Sequence, residues 1–516
     1  MNLEVIEGLR TQYFSMLPKS SFSLLFKCTL VSVLLILPGS VYANFDFNAN
    51  CLKAYRLIFE LKLTSARQLI SSEKRVHPKN AIVPLLENYV DYFYLITSES
   101  KADFDRLSAE KSSRIDQIEE EDKNSPYYLY AQAEINLQWA LLRSRYGEFF
   151  TAAREIKKAN SQLQENNKKY PGFHLNAKGL GLINIFLGNL PDGVLKTALS
   201  AFGIKGDVQK GLKMLDQLAQ NLPKSSYEPF YEEVVFYYAF VLSDVVHAED
   251  AYMKTMKYTA RIADSSLLKA YLQAYVCARN GHNEEAIGIL NDRPTGDLYQ
   301  PFPYLELLMG TAKLNKMDYS AEINFKRFSQ LNKGVNYIKD VNLHLAWVAL
   351  LTGDTGAYRG YITKVQRTGY TYGERDKQAM NEATASAPYV PLLKARLLFD
   401  GGYYTKALHL LSAERPALYP SVKDKAEYYY RSGRINDALG NDNDALQDYQ
   451  QAINYGKNLK YYYAATAALN MGKIYAVKNN SVNAKKCFSI AINMKNHEYE
   501  NSIEAQAKEG LRKLAD

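Results

Sequence analysis

The chain has 516 residues, 47% of them apolar and 23% charged, with a formal net charge of +8. These fractions are those of a folded protein and exclude wholesale disorder. No block of five or more basic residues marks a nucleic-acid surface, and the length admits either several globular domains or one long solenoid.

At the N-terminus Lys19 and Lys27 precede an apolar run from Thr29 to Leu37, followed by Pro38-Gly39-Ser40-Val41-Tyr42-Ala43. Val41 and Ala43 are the small residues a signal peptidase accepts, and the apolar run is too short to span a bilayer, so residues 1–43 read as a cleaved export signal. A start at Met16 would give a more compact signal and leave residues 1–15 untranslated. Cys51 follows Asn48-Ala49-Asn50, which is no lipoprotein signal. Cleavage leaves 60 basic and 53 acidic residues, a balance of +7 without clustering. It also leaves Cys51, Cys277 and Cys487, which are too few and too scattered for a disulfide framework and suit buried free thiols.

From Asn44 onward, apolar residues recur at helical spacing and strand alternation is rare. A first helical pair runs from Leu52 to Asn80, with Ala54, Leu57, Ala66 and Ile70 inward and Pro78 in the closing turn. A charged unit follows from Tyr92 to Lys123, its acidic run 118–123 reading as a solvated helix end. Pro126 to Tyr170 reads as another pair, with Tyr127, Ala131, Ala133, Leu137 and Leu141 facing Phe149, Ala152, Ala153 and Ile156.

A Gly-rich stretch then carries Gly179, Gly181, Gly188, Phe202-Gly203-Ile204 and Gly211. Its glycines suit close helix approach, and Gly179 to Ile204 is also a candidate segment for docking on a membrane surface. Residues 225–332 give two or three pairs. Ala274, Gly281, Ala286 and Leu290 mark one; Gly310, Met317 and Phe325 mark another, with Glu322 where a small residue belongs. A pair around Leu343 to Thr363 turns at Gly353. Thr368 to Ala387 is polar enough to read as a loop or short irregular helix.

The C-terminal part is the most regular. Gly433, Gly440, Ala445, Tyr449 and Ala452 recur at the same offsets as Gly472, Asn479, Ala484, Phe488 and Ala491. Ala395, Gly402, Ala407 and Leu411 form a weaker copy, with Glu414 at the last rung. From Ala407 to Ala445 is 38 residues and from there to Ala484 is 39. Small residues where two helices cross, aromatics filling the gap to the next pair, and Gly or Asn in the turn make a stacked helix–turn–helix repeat.

These units resemble tetratricopeptide repeats, firmly over 389–516 and more loosely over 50–360. Residues 178–215, with Leu190-Pro191, the turn Phe202-Gly203-Ile204-Lys205-Gly206-Asp207 and Gly211-Leu212, are similar to the Gly-rich helical pair of the tetratricopeptide-repeat-39 family. The resemblance implies an α–α superhelix, an all-α solenoid without catalytic residues or cofactor. An export signal departs from what that family's intracellular members would have. The expected organisation is a signal peptide (1–43), degenerate repeats (44–175), the Gly-rich pair (176–224), middle repeats (225–388) and C-terminal repeats (389–516).

No nucleophile elbow, zinc-binding His-Glu-x-x-His, phosphate loop or Cys-x-x-Cys is present. The seven His are scattered, and His247 with Glu249 and Asp250 reads as surface rather than metal site, because that spacing splays side chains around a helix. The expected function is therefore a scaffold in the cell envelope binding a protein or peptide. Candidate groove residues are Tyr428, Tyr429, Arg431, Tyr461 and Tyr462. Alternatives are an envelope enzyme or carbohydrate-handling protein with a site between repeats, and a membrane-docked lipid-handling protein.

Overall fold

The computed structural model describes residues 45–190, 196, 197, 199, 205–419 and 421–514. The export signal, its cleavage site and Phe202-Gly203-Ile204 lie outside them. No strand occurs among the described residues. No described helix is long and apolar enough to cross a membrane.

Antiparallel helix pairs follow one another along the chain: Ala49–Phe59 with Leu63–Val76, Pro126–Arg145 with Phe149–Lys169, and Asn176–Asn189 with Val208–Asn221. Next come Tyr231–Phe240 with Ala251–Thr259, Leu267–Arg279 with Asn283–Asp292, Tyr304–Asn315 with Ala321–Leu331, and Ile338–Leu351 with Thr355–Arg367. Val390–Asp400 with Tyr404–Ser412, Val422–Ala438 with Asp442–Gly456, and Tyr463–Val477 with Ser481–Asn493 complete the series.

One turn serves most of these pairs. The first helix ends at a left-handed residue, namely Leu61, Gly147, Gly281, Met317, Gly353, Gly402, Gly440 or Asn479. In each case the next residue donates its N–H to the carbonyl five positions back, at 2.8–3.0 Å, as from His282 to Cys277 or from Asn480 to Tyr475. This is the Schellman closure, which satisfies carbonyls at a helix end that have no partner within the helix. His247 takes the same left-handed place at φ 52°. There a π-helical turn, Val241–Val245, inserts one residue, so Ala248 bonds six back to Leu242. The turn geometry thus counts the repeats even where Leu61, His247 or Met317 hides it in the sequence.

The ladder residues pack as their sizes require. Ala445, Ala452, Ala484 and Ala491 are buried at helix crossings. A Cβ on Gly433 would meet the Tyr449 ring at 2.6 Å, and one on Gly472 the Phe488 ring at 2.5 Å. In the degenerate unit Gly310 faces Phe325 in the same way, and Ala321 supplies the buried small residue expected near Glu322. In the Gly-rich pair a Cβ on Gly211 would meet the Gly181 carbonyl oxygen at 2.5 Å, so those glycines set a close helix crossing.

Residues 368–387 differ from expectation. They contain a regular helix, Glu374–Thr384, packed on the pair 338–367. Only Asp376, Ala379 and Ala383 are buried on it, which is why the apolar spacing was faint. Asp376 instead accepts N–H bonds from Tyr337 (2.7 Å), Lys339 (2.9 Å) and Asp340 (3.1 Å), capping the neighbouring helix.

The N-terminal part is not an open stack. Helix Ile82–Ser98 is buried almost all round, as a helix at the centre of a domain must be. Gln300 N–H donates to the Leu61 carbonyl (2.7 Å), and Val335 N–H to that of Glu99 (3.3 Å). The first helices therefore close against those of residues 231–337. At the centre, Lys178, 1% exposed, binds Glu134 (2.7 Å) and Glu233. Tyr55 and Tyr89 donate to Glu233 at 2.6 and 2.7 Å. Five helices meet in that network. Cys51, Cys277 and Cys487 are buried free thiols.

Candidate binding groove

The last six repeats each carry a small buried residue in the first helix: Ala274, Gly310, Ala346, Ala395, Gly433 and Gly472. Their spacings are 36, 36, 49, 38 and 39 residues, the long one holding the extra helix Glu374–Thr384. Since the small residue faces the second helix of its own pair, the residue after it turns about 100° away, toward the inner face. Tyr275, Thr311, Trp347, Arg396 and Arg434 all follow such a residue, and all five line one groove of about 680 Å³. The segment 243–251 and helix Glu374–Thr384 form its other walls.

The groove is charged on both sides, and nearly every charge is matched. Arg375 faces Asp340 at 3.3 Å, and the same carboxylate lies 3.5 Å from His344. Arg396 binds both carboxylate oxygens of Glu382 at 3.0 Å and lies over the Trp347 ring at 4.9 Å. Arg279 stands 3.7 Å from Asp244, which also accepts from the Tyr275 hydroxyl. Among the described residues, Arg434 alone of the four groove arginines has no carboxylate within 4 Å. Its guanidinium lies over Phe399 at 3.9 Å, with Tyr430 at 5.7 Å. An aromatic face holds the plane of a guanidinium and leaves its N–H edges free to bind a planar acceptor.

The five residues expected to line a groove sit elsewhere. Arg431 is buried and donates from Nε to Glu427 at 2.8 Å. Burial pushes the Glu427 carboxyl up, but Arg431 and Lys423 outweigh it and hold the group down at about 2. Tyr428 packs on Tyr419 and donates to the Leu411 carbonyl (3.3 Å). Tyr429 lies parallel to Tyr455 at 5.6 Å. Tyr461 stacks on Tyr463 at 5.9 Å under Lys423 (5.6 Å). Tyr462 packs among Tyr430, Tyr463 and Tyr499. The structure pairs Tyr428 with Tyr429, and Tyr461 with Tyr462 through Tyr463, but none of the five reaches the 680 Å³ groove. Arg434, three residues past Arg431, does. His247 is exposed, as expected, yet it and Glu249 stand at the groove wall. Among the described residues, no three His, Cys, Asp or Glu side chains gather as metal ligands.

The repeated closure, the small crossing residue and the aromatic facing it settle the repeat type. The chain is an all-α solenoid of the tetratricopeptide type. No protein-family model and no curated protein matches it, so the likeness of 178–215 to the tetratricopeptide-repeat-39 family stands on those residues alone. Solved structures similar to it include the TPR domain of P58(IPK), 14% identical over 74% of this chain and 97% of that one, with a TM-score of 0.20. Yeast Tom70 is 11% identical over 90% and 97%, with a TM-score of 0.25. The APC/C hetero-tetramer Cut9–Hcn1 is 13% identical over 91% and 97%, with a TM-score of 0.26. The repeat assignment rests on the helix packing, not on these superpositions.

Proposed function

We propose that this protein is a non-catalytic interaction scaffold whose inner groove receives a segment of another protein and reads an acidic side chain on it through Arg434. The observation that carries the reading is the unmatched guanidinium of Arg434, held on Phe399 in a groove where Arg279, Arg375 and Arg396 each face a carboxylate. Asp244, Asp340 and Glu382 are each engaged by an arginine, which favours binding over catalysis there.

Selection of a displayed random-peptide library on the purified protein tests this. Recovered peptides are expected to be enriched in Asp or Glu. The best of them should bind Arg434→Gln at least tenfold more weakly and bind Tyr429→Ala unchanged. Peptides without acidic residues, or equal binding by Arg434→Gln, would overturn the reading.

The scaffold acts after export to the periplasm or cell envelope. The support is the pattern of Lys27, the apolar run and Val41-Tyr42-Ala43. The mature protein is expected in the envelope fraction with Asn44 as its first residue by N-terminal sequencing. An intact N-terminus in the cytosol would sink that localisation.

A further inference from the structure

Closure of the N-terminal helices against residues 231–337 leaves a second cavity, of about 390 Å³. It lies at the small end of the size range of ligand sites, about 300–1,000 Å³. Its wall is built of rings from segments far apart in sequence, among them Phe93, Phe236 and Phe302. No local repeat contact needs so many aromatic faces turned to one space.

Tyrosines, Arg145 and the carboxylates of Glu99 and Asp244 also border this space, and not all of these groups are bonded to the protein. Tyr271, Tyr304 and Tyr337 line the cavity, and their hydroxyls make no hydrogen bond with another described residue. Arg145 reaches the same space, and among the described residues only one of its nitrogens donates, to Glu99. A guanidinium has five N–H donors, so donors remain beside those hydroxyls. Polar groups at a cavity wall that are not bonded to the protein are free to bind what enters it.

We infer that this cavity binds a small single-headed amphiphile, its apolar body among the phenylalanine rings and a carboxylate or carbonyl head accepting from Arg145 and the three tyrosine hydroxyls. This site is separate from the groove around Arg434. The two share Tyr275, whose hydroxyl bond to Asp244 stands between them.

The fluorescent apolar probe 1-N-phenylnaphthylamine tests the inference on the mature protein. Saturable one-to-one binding is expected, with displacement by dodecanoate at concentrations at least tenfold below those of dodecyltrimethylammonium. Ile96→Trp and Leu141→Trp, at half-buried wall positions, should each cut probe affinity at least tenfold with the thermal transition retained. Should one fail to fold, the other decides. Replacing Tyr271, Tyr304 and Tyr337 together by Phe should leave probe binding intact and weaken dodecanoate at least tenfold. Arg434→Gln should change neither. Absence of saturable probe binding, or unchanged binding by a folded Trp variant, would overturn the site. Equal displacement by the two detergents, or an undiminished response to dodecanoate in the triple Phe variant, would overturn the head-group assignment.

Discussion

Lys178→Met is expected to lower stability by about 3–5 kcal/mol in urea denaturation at pH 7, because removing one member of a buried ion network leaves its partners uncompensated. Lys178 lies against Glu134 and Glu233, both almost wholly buried, and Met matches its length without its charge. The pH dependence carries a definite sign. Burial first, and Glu233 after it, push the Glu134 carboxyl up to about 7 although Lys178 pulls it down. The folded state then takes up a proton more readily than the unfolded chain, whose glutamates titrate at about 4.3. That group's contribution to stability therefore falls as pH rises from about 4.5 to 7 and is flat above. Glu134→Gln should gain on the wild type over that window. The Lys178→Met loss should shrink on acidification, since the Glu134 carboxyl can then be neutral. A loss under about 1 kcal/mol at pH 7 would show that water reaches the network.

The second large effect compares two glycines on the same rung. Gly402 and Gly440 both end a first helix with φ near 80°, at 81° and 76°. A Cβ on Gly440 would meet nothing within 4 Å, whereas one on Gly402 would stand 2.0 Å from the carbonyl oxygen of Gly281. Gly440→Ala is expected to lose only the left-handed penalty of roughly 1–2 kcal/mol. Gly402→Ala adds a backbone clash that no side-chain rotation relieves and should lose about 3 kcal/mol or more. The clash lies where two turns pack, with the Tyr403 hydroxyl donating to Glu284 and accepting from Asn283, both at 2.9 Å. Equal urea midpoints for the two variants would mean that these turns do not touch in solution.

The sequence was a good guide to the repeats and a poor one to the groove. Ala445 and Ala484 mark crossings because only small side chains fit there, and that constraint leaves a periodic trace. The inner face has no such constraint. Tyr275, Thr311, Trp347, Arg396 and Arg434 share a position but no single residue type, so no repeated residue announced them. Their common signal is offset: each directly follows the small residue. Runs such as Tyr428-Tyr429-Tyr430 drew attention by composition, yet their rings fill gaps between helices. Helix Glu374–Thr384 was obscure for another reason, since its main contact is a carboxylate capping a neighbour rather than an apolar stripe.

Closure of the N-terminal part also bears on how the chain reaches this state. An ordinary solenoid can grow from either end, each unit resting on the last. Here Leu61 waits for Gln300, and Glu99 for Val335 and Asn336, across more than two hundred residues. Such distant pairings slow folding, because the loop must close before the contact is gained. Helices Ala49–Phe59 and Ile82–Ser98 thus leave the ribosome long before their partners are made. The C-terminal repeats, whose contacts are local, can assemble on their own schedule.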